Sequence, residues 1–159
     1  MAELTDTLCL QCGLCCNGVL FADVRRERGD KSPLFQQHGS RVAQPCPAFN
    51  AGNCKCVLYA ERPARCQKFE CKQLLAVGGG KKTAEAALAK ISETKRLAAK
   101  VESLLEKLGF NDLKSPFSKR FQLCQRAAES GKIPDLDRLA DLQLAVHKLN
   151  QMLAQDFYA

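Results

Sequence analysis

Residues 9–16 read CLQCGLCC, so four thiols, those of Cys9, Cys12, Cys15 and Cys16, fall within one short stretch. A Cys-x-x-Cys turn places two thiolates within reach of one ion, and a third cysteine three residues later can reach another edge of the same site. The side chains of the adjacent Cys15 and Cys16 must diverge, by about 100° on a helix and to opposite faces on a strand. We therefore expect one of the two to face away from the first metal, where it serves a second metal, bridges two metals or stays free.

Cysteine is concentrated in the first half of the chain. Of ten cysteines, nine precede residue 72, and only Cys124 follows. The N-terminus has no basic segment followed by an apolar stretch, so we expect a cytoplasmic chain. In a reducing compartment closely spaced thiols favour metal binding over disulfides, although a disulfide framework stays open if the chain is exported. The cysteines that follow the opening motif are Cys46, Cys54, Cys56, Cys66 and Cys71.

Composition and charge narrow the class of protein. The hydrophobic fraction is 46% and the charged fraction 26%, values typical of a globular protein. The net charge of +7 is spread over both halves, without a basic stripe interleaved with aromatic residues. This distribution of charge disfavours nucleic-acid binding as the main function. No segment approaches the ~18 uncharged residues of a membrane span, so we expect no membrane contact.

Residue composition and the spacing of apolar residues divide the chain into two regions joined by a hinge. Up to about residue 76 the chain is rich in proline, glycine and irregular segments. Such a segment buries too few apolar side chains to be stable by itself. We therefore expect a bound metal to stabilise it in place of a large hydrophobic core. We predict a cysteine-cluster metal-binding module over 1–77, a Gly-rich hinge over 78–82, and a helical region over 83–159 that packs on the module.

Three helices are predicted after the hinge. The first begins after Thr83 as N-cap and ends at Gly109. The second follows Ser115-Pro116, with the proline at its first position, and places Cys124 on its apolar face as a small core residue. The third begins near Asp135. The predicted fold is mainly α, with a loop-rich N-terminal cysteine module followed by an antiparallel hairpin or bundle of helices, whose surface is the candidate contact for a protein partner.

A second motif supports a family resemblance. Residues 56–69 read CVLYAERPARCQKF, and Cys71 follows shortly. Together with the opening CxxCxxCC and Cys46, this string resembles the YkgJ-type cysteine-cluster family, which is described as zinc- or iron-chelating domains. The matching motifs span about residues 9–71 and leave the three helices outside. The resemblance implies that the metal ligands are Cys9, Cys12, Cys15, Cys16, Cys46, Cys56, Cys66 and Cys71, with Cys54 an addition to the pattern.

Two residues within the second motif are suited to supporting a thiolate metal site. A metal bound by four thiolates carries net negative charge, which a nearby guanidinium stabilises. Arg62 and Tyr59, which lie inside the motif, are the candidates for this supporting role. Pro63 can open a short helix that presents Cys66.

The sequence thus predicts a metal-binding protein with an iron-sulfur cluster or zinc. The CxxCxxC spacing and the Cys46-Pro47 pair favour iron, whereas the surplus of thiols suits several zinc ions. The predicted role of the bound metal is structural, or in electron transfer, or in metal handling.

Two alternatives remain open. One is an iron-sulfur redox enzyme or enzyme subunit with Cys15 or Cys16 as a reactive thiol. The other is a zinc-ribbon-like nucleic-acid-binding module.

Overall fold

The structure, a computed structural model, describes residues 2–159. Within that range the chain is mainly helical, with four short strands confined to the first half. The helices are α1 (Ala2–Cys12), α2 (Pro33–His38), α3 (Ala64–Lys68), α4 (Lys72–Gly78), α5 (Ala84–Lys107), α6 (Phe117–Glu129) and α7 (Leu136–Asp156). The strands are β1 (Asp23–Arg25), β2 (Arg41–Ala43), β3 (Phe49–Asn50) and β4 (Lys55–Cys56). They pair as two antiparallel hairpins, β1 with β2 and β3 with β4.

The three long C-terminal helices confirm the expectation from periodicity. The Thr83 side chain accepts a hydrogen bond from the Ala86 amide, and the Asp135 side chain accepts one from the Arg138 amide, so both predicted N-caps act as such. The second helix begins one residue later than expected, because Pro116 occupies the N-cap position with extended backbone and Phe117 is the first helical residue. A loop-rich cysteine segment followed by helices is therefore the observed architecture.

Two hydrophobic clusters hold the fold together. The larger one joins the inner faces of α5, α6 and α7 to three leucines of the cysteine segment, Leu8, Leu14 and Leu20. The smaller one lies wholly in the first half and is built from Val24, Leu34, Phe35, Val42 and Ala48. Burial of apolar side chains therefore contributes to the N-terminal segment as well as to the helices, at about 1.5–3 kcal/mol for each fully buried leucine or phenylalanine.

Helix α1 was not predicted from the sequence. It packs against α5 and buries Leu8 to 2% exposure. The Lys95 ammonium on α5 donates to the carbonyl oxygen of Gln11 at 2.9 Å, which satisfies an acceptor in the last turn of α1. The first two cysteines of the opening motif thus lie on a helix anchored to the long C-terminal part of the chain.

The end of the chain returns to the cysteine segment. The amide of Lys72 donates to the carbonyl of Phe157 at 3.0 Å, and the side-chain amide of Gln73 donates to the carbonyl of Asp156 at 2.6 Å. The ring of Phe157 is buried, with 1% exposure. The C-terminal end of α7 is therefore fixed beside the N-terminal end of α4, immediately after Cys71.

In the described range no helix combines the length and hydropathy that crossing a bilayer requires.

Candidate metal centre

The opening motif leaves α1 through a tight turn. Cys9 and Cys12 lie three positions apart near the end of α1, so their side chains share a face. Gly13 ends the helix with a φ of +71°, a conformation that favours glycine. The amides of Cys16 and Asn17 then both donate to the Gly13 carbonyl at 3.0 Å. This turn reverses the chain between Cys12 and Cys16.

Four thiols gather on one side of the turn, and we call them the first thiol group: Cys9, Cys12, Cys15 and Cys71. Their charges interact, since Cys71 affects the other three thiols and Cys9 affects Cys12 and Cys15. Cys71 is the N-cap residue of α4, and the following residue, Lys72, is bonded to the end of α7. Cys12, Cys15 and Cys71 also pack against the larger hydrophobic cluster.

The other four matched thiols form the second thiol group: Cys16, Cys46, Cys56 and Cys66. The charges of Cys46, Cys56 and Cys66 all act on Cys16, and those of Cys46 and Cys56 act on Cys66. Cys16 also interacts, across the two groups, with Cys12 and Cys15. The amide of Cys46 donates to the carbonyl of Cys16 at 2.8 Å, which fixes the two segments side by side. Cys46 and Cys56 pack against the smaller hydrophobic cluster, so the two groups rest on different parts of the core.

The thiols of each group are neighbours but do not form a finished coordination sphere. Among the described residues, no three or more His, Cys, Asp or Glu side chains are arranged to hold a metal ion directly. The thiols of a group would have to move closer together to share an ion, and metal binding commonly supplies the free energy for such closure. Four thiolates match the donor set of a tetrahedral zinc site and of a four-iron cluster.

Desolvation by the surrounding protein raises the pKa of several thiols in the two groups. It raises the pKa of Cys9 and Cys66 to about 11 and that of Cys12 and Cys16 to about 12, and neighbouring thiolates add to the effect. The same causes raise the pKa of Cys15 well above its usual value. In the absence of a metal these thiols are protonated at neutral pH, so a metal ion must displace protons to bind them.

Backbone amides oppose this effect at one cysteine in each group. The amide of Leu14 donates to Cys12, and the amides of Ala48 and Phe49 donate to Cys46, which lowers the pKa of each thiol against the larger effect of desolvation. In both cases a donor lies two residues after the cysteine. Each group therefore contains one sulfur that accepts hydrogen bonds from backbone amides.

Arg62 lies between the two groups. Its positive charge lowers the pKa of Cys9 in the first group and of Cys66 in the second, although desolvation outweighs it at both. The guanidinium stacks over the Tyr59 ring at 4.1 Å and donates to the Tyr59 carbonyl at 2.7 Å, which fixes its position. The supporting role expected of Arg62 and Tyr59 stays a prediction, and the charge of Arg62 acts on one thiol of each group.

Sequence reasoning missed Asp30, which positions the helix that carries Cys66. Its carboxylate accepts from the amide of Ser32 at 2.9 Å and from the amide of Ala64 at 2.8 Å. Because Pro63 has no N–H, the Ala64 amide is the first free donor of α3, and Asp30 satisfies it from 34 residues away. Asp30 is buried, with 8% exposure. An aspartate in a polar loop gives no local signal of such a long-range role.

The C-terminal aromatic residue Tyr158 was also missed. Its hydroxyl donates to the carbonyl of Leu20 at 2.5 Å, and desolvation together with the charge of Cys15 raises its pKa. The rings of Phe21 and Phe69 meet edge to face at 4.9 Å, and Tyr158 adjoins Phe21 at 6.2 Å. Tyr158 thus joins an aromatic group with Phe21 and Phe69 and interacts with Cys15 of the first thiol group.

Comparison with known proteins identifies the family. The model of the family CxxCxxCC, described as "Putative zinc- or iron-chelating domain", matches residues 8–104. The chain belongs to this family. The match confirms the resemblance drawn from the cysteine motifs and extends further than those motifs, through most of α5. Searches of curated proteins and of solved structures each gave no match.

The match places the cysteine motifs and α5 in one CxxCxxCC domain, which agrees with the packing of α1 against α5. All eight cysteines predicted as ligands lie inside it, four in each of the thiol groups defined above. Cys54 belongs to neither thiol group. Its backbone is left-handed, with a φ of 55°, and its Sγ lies 3.5 Å from the point where a Cβ on Gly13 would stand. Cys124 is fully buried in the larger cluster, as predicted.

Proposed function

We propose that this CxxCxxCC domain chelates metal at two separate four-thiolate centres, one in each thiol group. The first centre uses Cys9, Cys12, Cys15 and Cys71, and the second uses Cys16, Cys46, Cys56 and Cys66. The observation that carries the proposal is that Cys12, Cys15 and Cys71 pack against the larger hydrophobic cluster, whereas Cys46 and Cys56 pack against the smaller one. The Cys46 amide donates to the Cys16 carbonyl, so we assign Cys16 to the second set and Cys15 to the first. Each set, completed by one member of this pair, contains the four donors that a zinc ion or a four-iron cluster requires.

The chain's own residues would stabilise the charge of both centres. Four thiolates around a divalent ion leave a net charge of about −2, which needs compensation inside a partly desolvated site. Arg62 supplies a positive charge to both groups, and the amides that follow Cys12 and Cys46 donate directly to sulfur. Once bound, the metal supplies the positive charge that holds thiolates of otherwise high pKa in their ionised form.

This assignment favours metal binding over the redox-enzyme alternative. That alternative uses Cys15 or Cys16 as a free reactive thiol. A reactive thiol needs a lowered pKa and access to solvent. Both cysteines instead have a raised pKa from desolvation, and each has several thiol neighbours.

Metal and sulfide analysis of anaerobically purified protein tests the proposal. Two zinc centres predict about two zinc ions per chain and a colourless protein. Two four-iron clusters predict about eight iron atoms and eight sulfides per chain, with a brown colour and broad visible absorbance. A single centre per chain, or a natively folded chain without metal after reconstitution with either, would contradict the proposal.

A further inference from the structure

The strand β2 has one edge that no other strand covers. It pairs with β1 in a two-stranded antiparallel sheet, so its second edge has no neighbouring strand. Next to the paired edge, the amide of Arg26 donates to the carbonyl of Ser40 at 2.8 Å, and the amide of Gln44 donates to the carbonyl of Ala22 at 2.9 Å. These two hydrogen bonds lie at either end of β2, and they fix which backbone groups of the strand face β1.

The backbone groups of Arg41 and Ala43 face the open edge. Hydrogen-bonded and non-bonded residue pairs alternate along an antiparallel ladder, so Val42 bonds to β1, whereas the amides and carbonyls of Arg41 and Ala43 point away from it. Within residues 2–159 none of these four groups has a hydrogen-bond partner. Two donors and two acceptors along a strand edge are a template to which an extended peptide can add as a further strand.

A groove of about 490 Å³ adjoins β2. All three residues of β2 line this groove and none of β1 does, so it lies on the unpaired side of the strand. Its apolar lining includes Pro45, Pro47 and Leu113, the last from the loop between α5 and α6. Leu113 is 66% exposed, although it is a large apolar side chain. A peptide added to β2 would therefore have apolar side chains to contact.

The groove carries an excess of positive charge. Arg41 and Lys114 line it, and no aspartate or glutamate of the described chain does so. Lys114 forms no ion pair with any residue of the range 2–159. Arg41 shares the carboxylate of Asp23 with Arg25, so one negative charge serves two guanidinium groups. A negatively charged partner would neutralise the remaining charge.

We propose that the open edge of β2 binds an extended acidic segment of a partner protein, which adds as a strand and places apolar side chains in the groove. Backbone hydrogen bonds to Arg41 and Ala43 set the register, and carboxylates of the segment complement Arg41 and Lys114. A second copy of this chain is a poor occupant, because pairing two β2 strands would bring together two basic edges of chains that each carry a net charge of +7. The proposal does not depend on bound metal, although Pro45 and Pro47 flank Cys46.

Fluorescence anisotropy on the full-length, metal-loaded chain tests this site with a labelled pentapeptide of alternating glutamate and valine. Two matched peptides serve as controls: one has lysine in place of glutamate, and the other has every backbone nitrogen methylated, so it cannot donate to a strand edge. We expect saturable binding of the acidic peptide and binding weaker by about tenfold or more for each control. No saturable binding of the acidic peptide, or equal binding of either control, would overturn the proposal.

Two charge reversals separate the groove from the net charge of the chain. Lys114 lines the groove, whereas Lys119 is exposed on α6 and does not line it, so Lys119→Glu is the matched control for Lys114→Glu. We expect Lys114→Glu to weaken binding of the acidic peptide by about fivefold or more and Lys119→Glu to change it by less than about twofold, with equal metal content in both. Equal weakening by the two variants would overturn the site.

The variant Ala43→Pro tests the strand edge itself. It removes an amide that points away from β1, so the hydrogen bonds between β1 and β2 are kept. We expect it to weaken binding of the acidic peptide by about tenfold or more at unchanged metal content. Undiminished binding would overturn the proposed strand addition. Sedimentation of the free chain completes the test, because a dimer that Ala43→Pro dissociates would show that a second copy occupies the edge and would also overturn the proposal.

Discussion

Cys15 and Cys16 are adjacent in the chain, yet their thiols belong to different groups. Among the thiols, Cys15 interacts most strongly with Cys12, then with Cys16, Cys71 and Cys9, whereas Cys16 interacts most strongly with Cys46 and least with Cys12. The turn after Gly13 places them at the boundary between the two hydrophobic clusters, so one peptide unit joins the two proposed centres. Their substitution is therefore the sharpest test of how the eight thiols are divided.

Replacing either cysteine of the pair should remove one centre and leave the other. Cys15→Ser removes a ligand of the first group, and Cys16→Ser removes one of the second, so each variant should retain about half of the wild-type metal. The double variant should lose nearly all of it. Metal content per chain is measured by elemental analysis after anaerobic purification.

Cys54→Ser is the matched control, because Cys54 is a nearby thiol outside both groups. It should keep the full metal content. Complete loss of metal in both single variants, with full retention in Cys54→Ser, would indicate one shared cluster instead of two centres.

Gly13→Ala should destabilise the protein strongly, for two reasons. A residue with a side chain pays roughly 1–2 kcal/mol in the left-handed region that Gly13 occupies. An added Cβ would also lie 2.7 Å from Cζ of Phe49, a residue paired with Cys56 in the β3–β4 hairpin. The free energy of unfolding, measured with urea, should fall by more than the backbone term alone.

Gly29→Ala provides the comparison for backbone strain without a clash. Gly29 has a φ of +82°, and nothing lies within 4 Å of the position that an added Cβ would occupy. This variant should lose only the backbone contribution. If the two variants lose equal stability, the contact with Phe49 does not constrain the turn.

Cys124→Ser should lower stability without affecting metal. The thiol is fully buried in the larger hydrophobic cluster and belongs to neither thiol group. A buried hydroxyl without a partner costs about 1–3 kcal/mol, so the urea midpoint should fall while the metal content stays constant. Loss of metal from this variant would show that the helical core and the centres are more tightly coupled than their positions suggest.

Acid should weaken the β1–β2 hairpin through Asp23. Arg25 and Arg41 are directly opposed across the strands, and Asp23 accepts from the Nε of both, at 3.3 and 2.7 Å. Although desolvation raises the pKa of Asp23, the hydrogen bond and charge of Arg41 lower it overall. A carboxyl whose pKa is lower in the folded state stabilises the fold above its unfolded pKa of about 3.9, and this contribution disappears as the pH falls through the folded pKa.

The pH dependence is measured as the difference between wild-type and Asp23→Asn protein. Wild-type protein should be the more stable of the two near neutral pH, and the difference should shrink as the pH falls below about 4. Taking this difference removes effects of acid on the thiols, which are common to both proteins. A difference that does not change with pH would mean that Asp23 contributes nothing through its charge.

The sequence by itself predicted those features that depend on neighbours along the chain. Apolar residues at three- and four-residue steps, bounded by Thr83 and Asp135 as caps, predicted the long helices, because helical periodicity and capping are local. The cysteine motifs identified the family, since their spacing alone carries that signal. The divergence of Cys15 and Cys16 followed from the geometry of adjacent residues.

Tertiary structure decided how distant segments meet. It placed Cys71 beside Cys9 and Cys12, brought Cys46 to the backbone of Cys16, and set Asp30 at the start of the helix that carries Cys66. It also formed α1, a short helix that depends on packing against α5 because isolated helices of this length are marginal in water. Contacts between remote residues depend on the sum of many weak packing terms over the whole chain, and no local spacing encodes that sum.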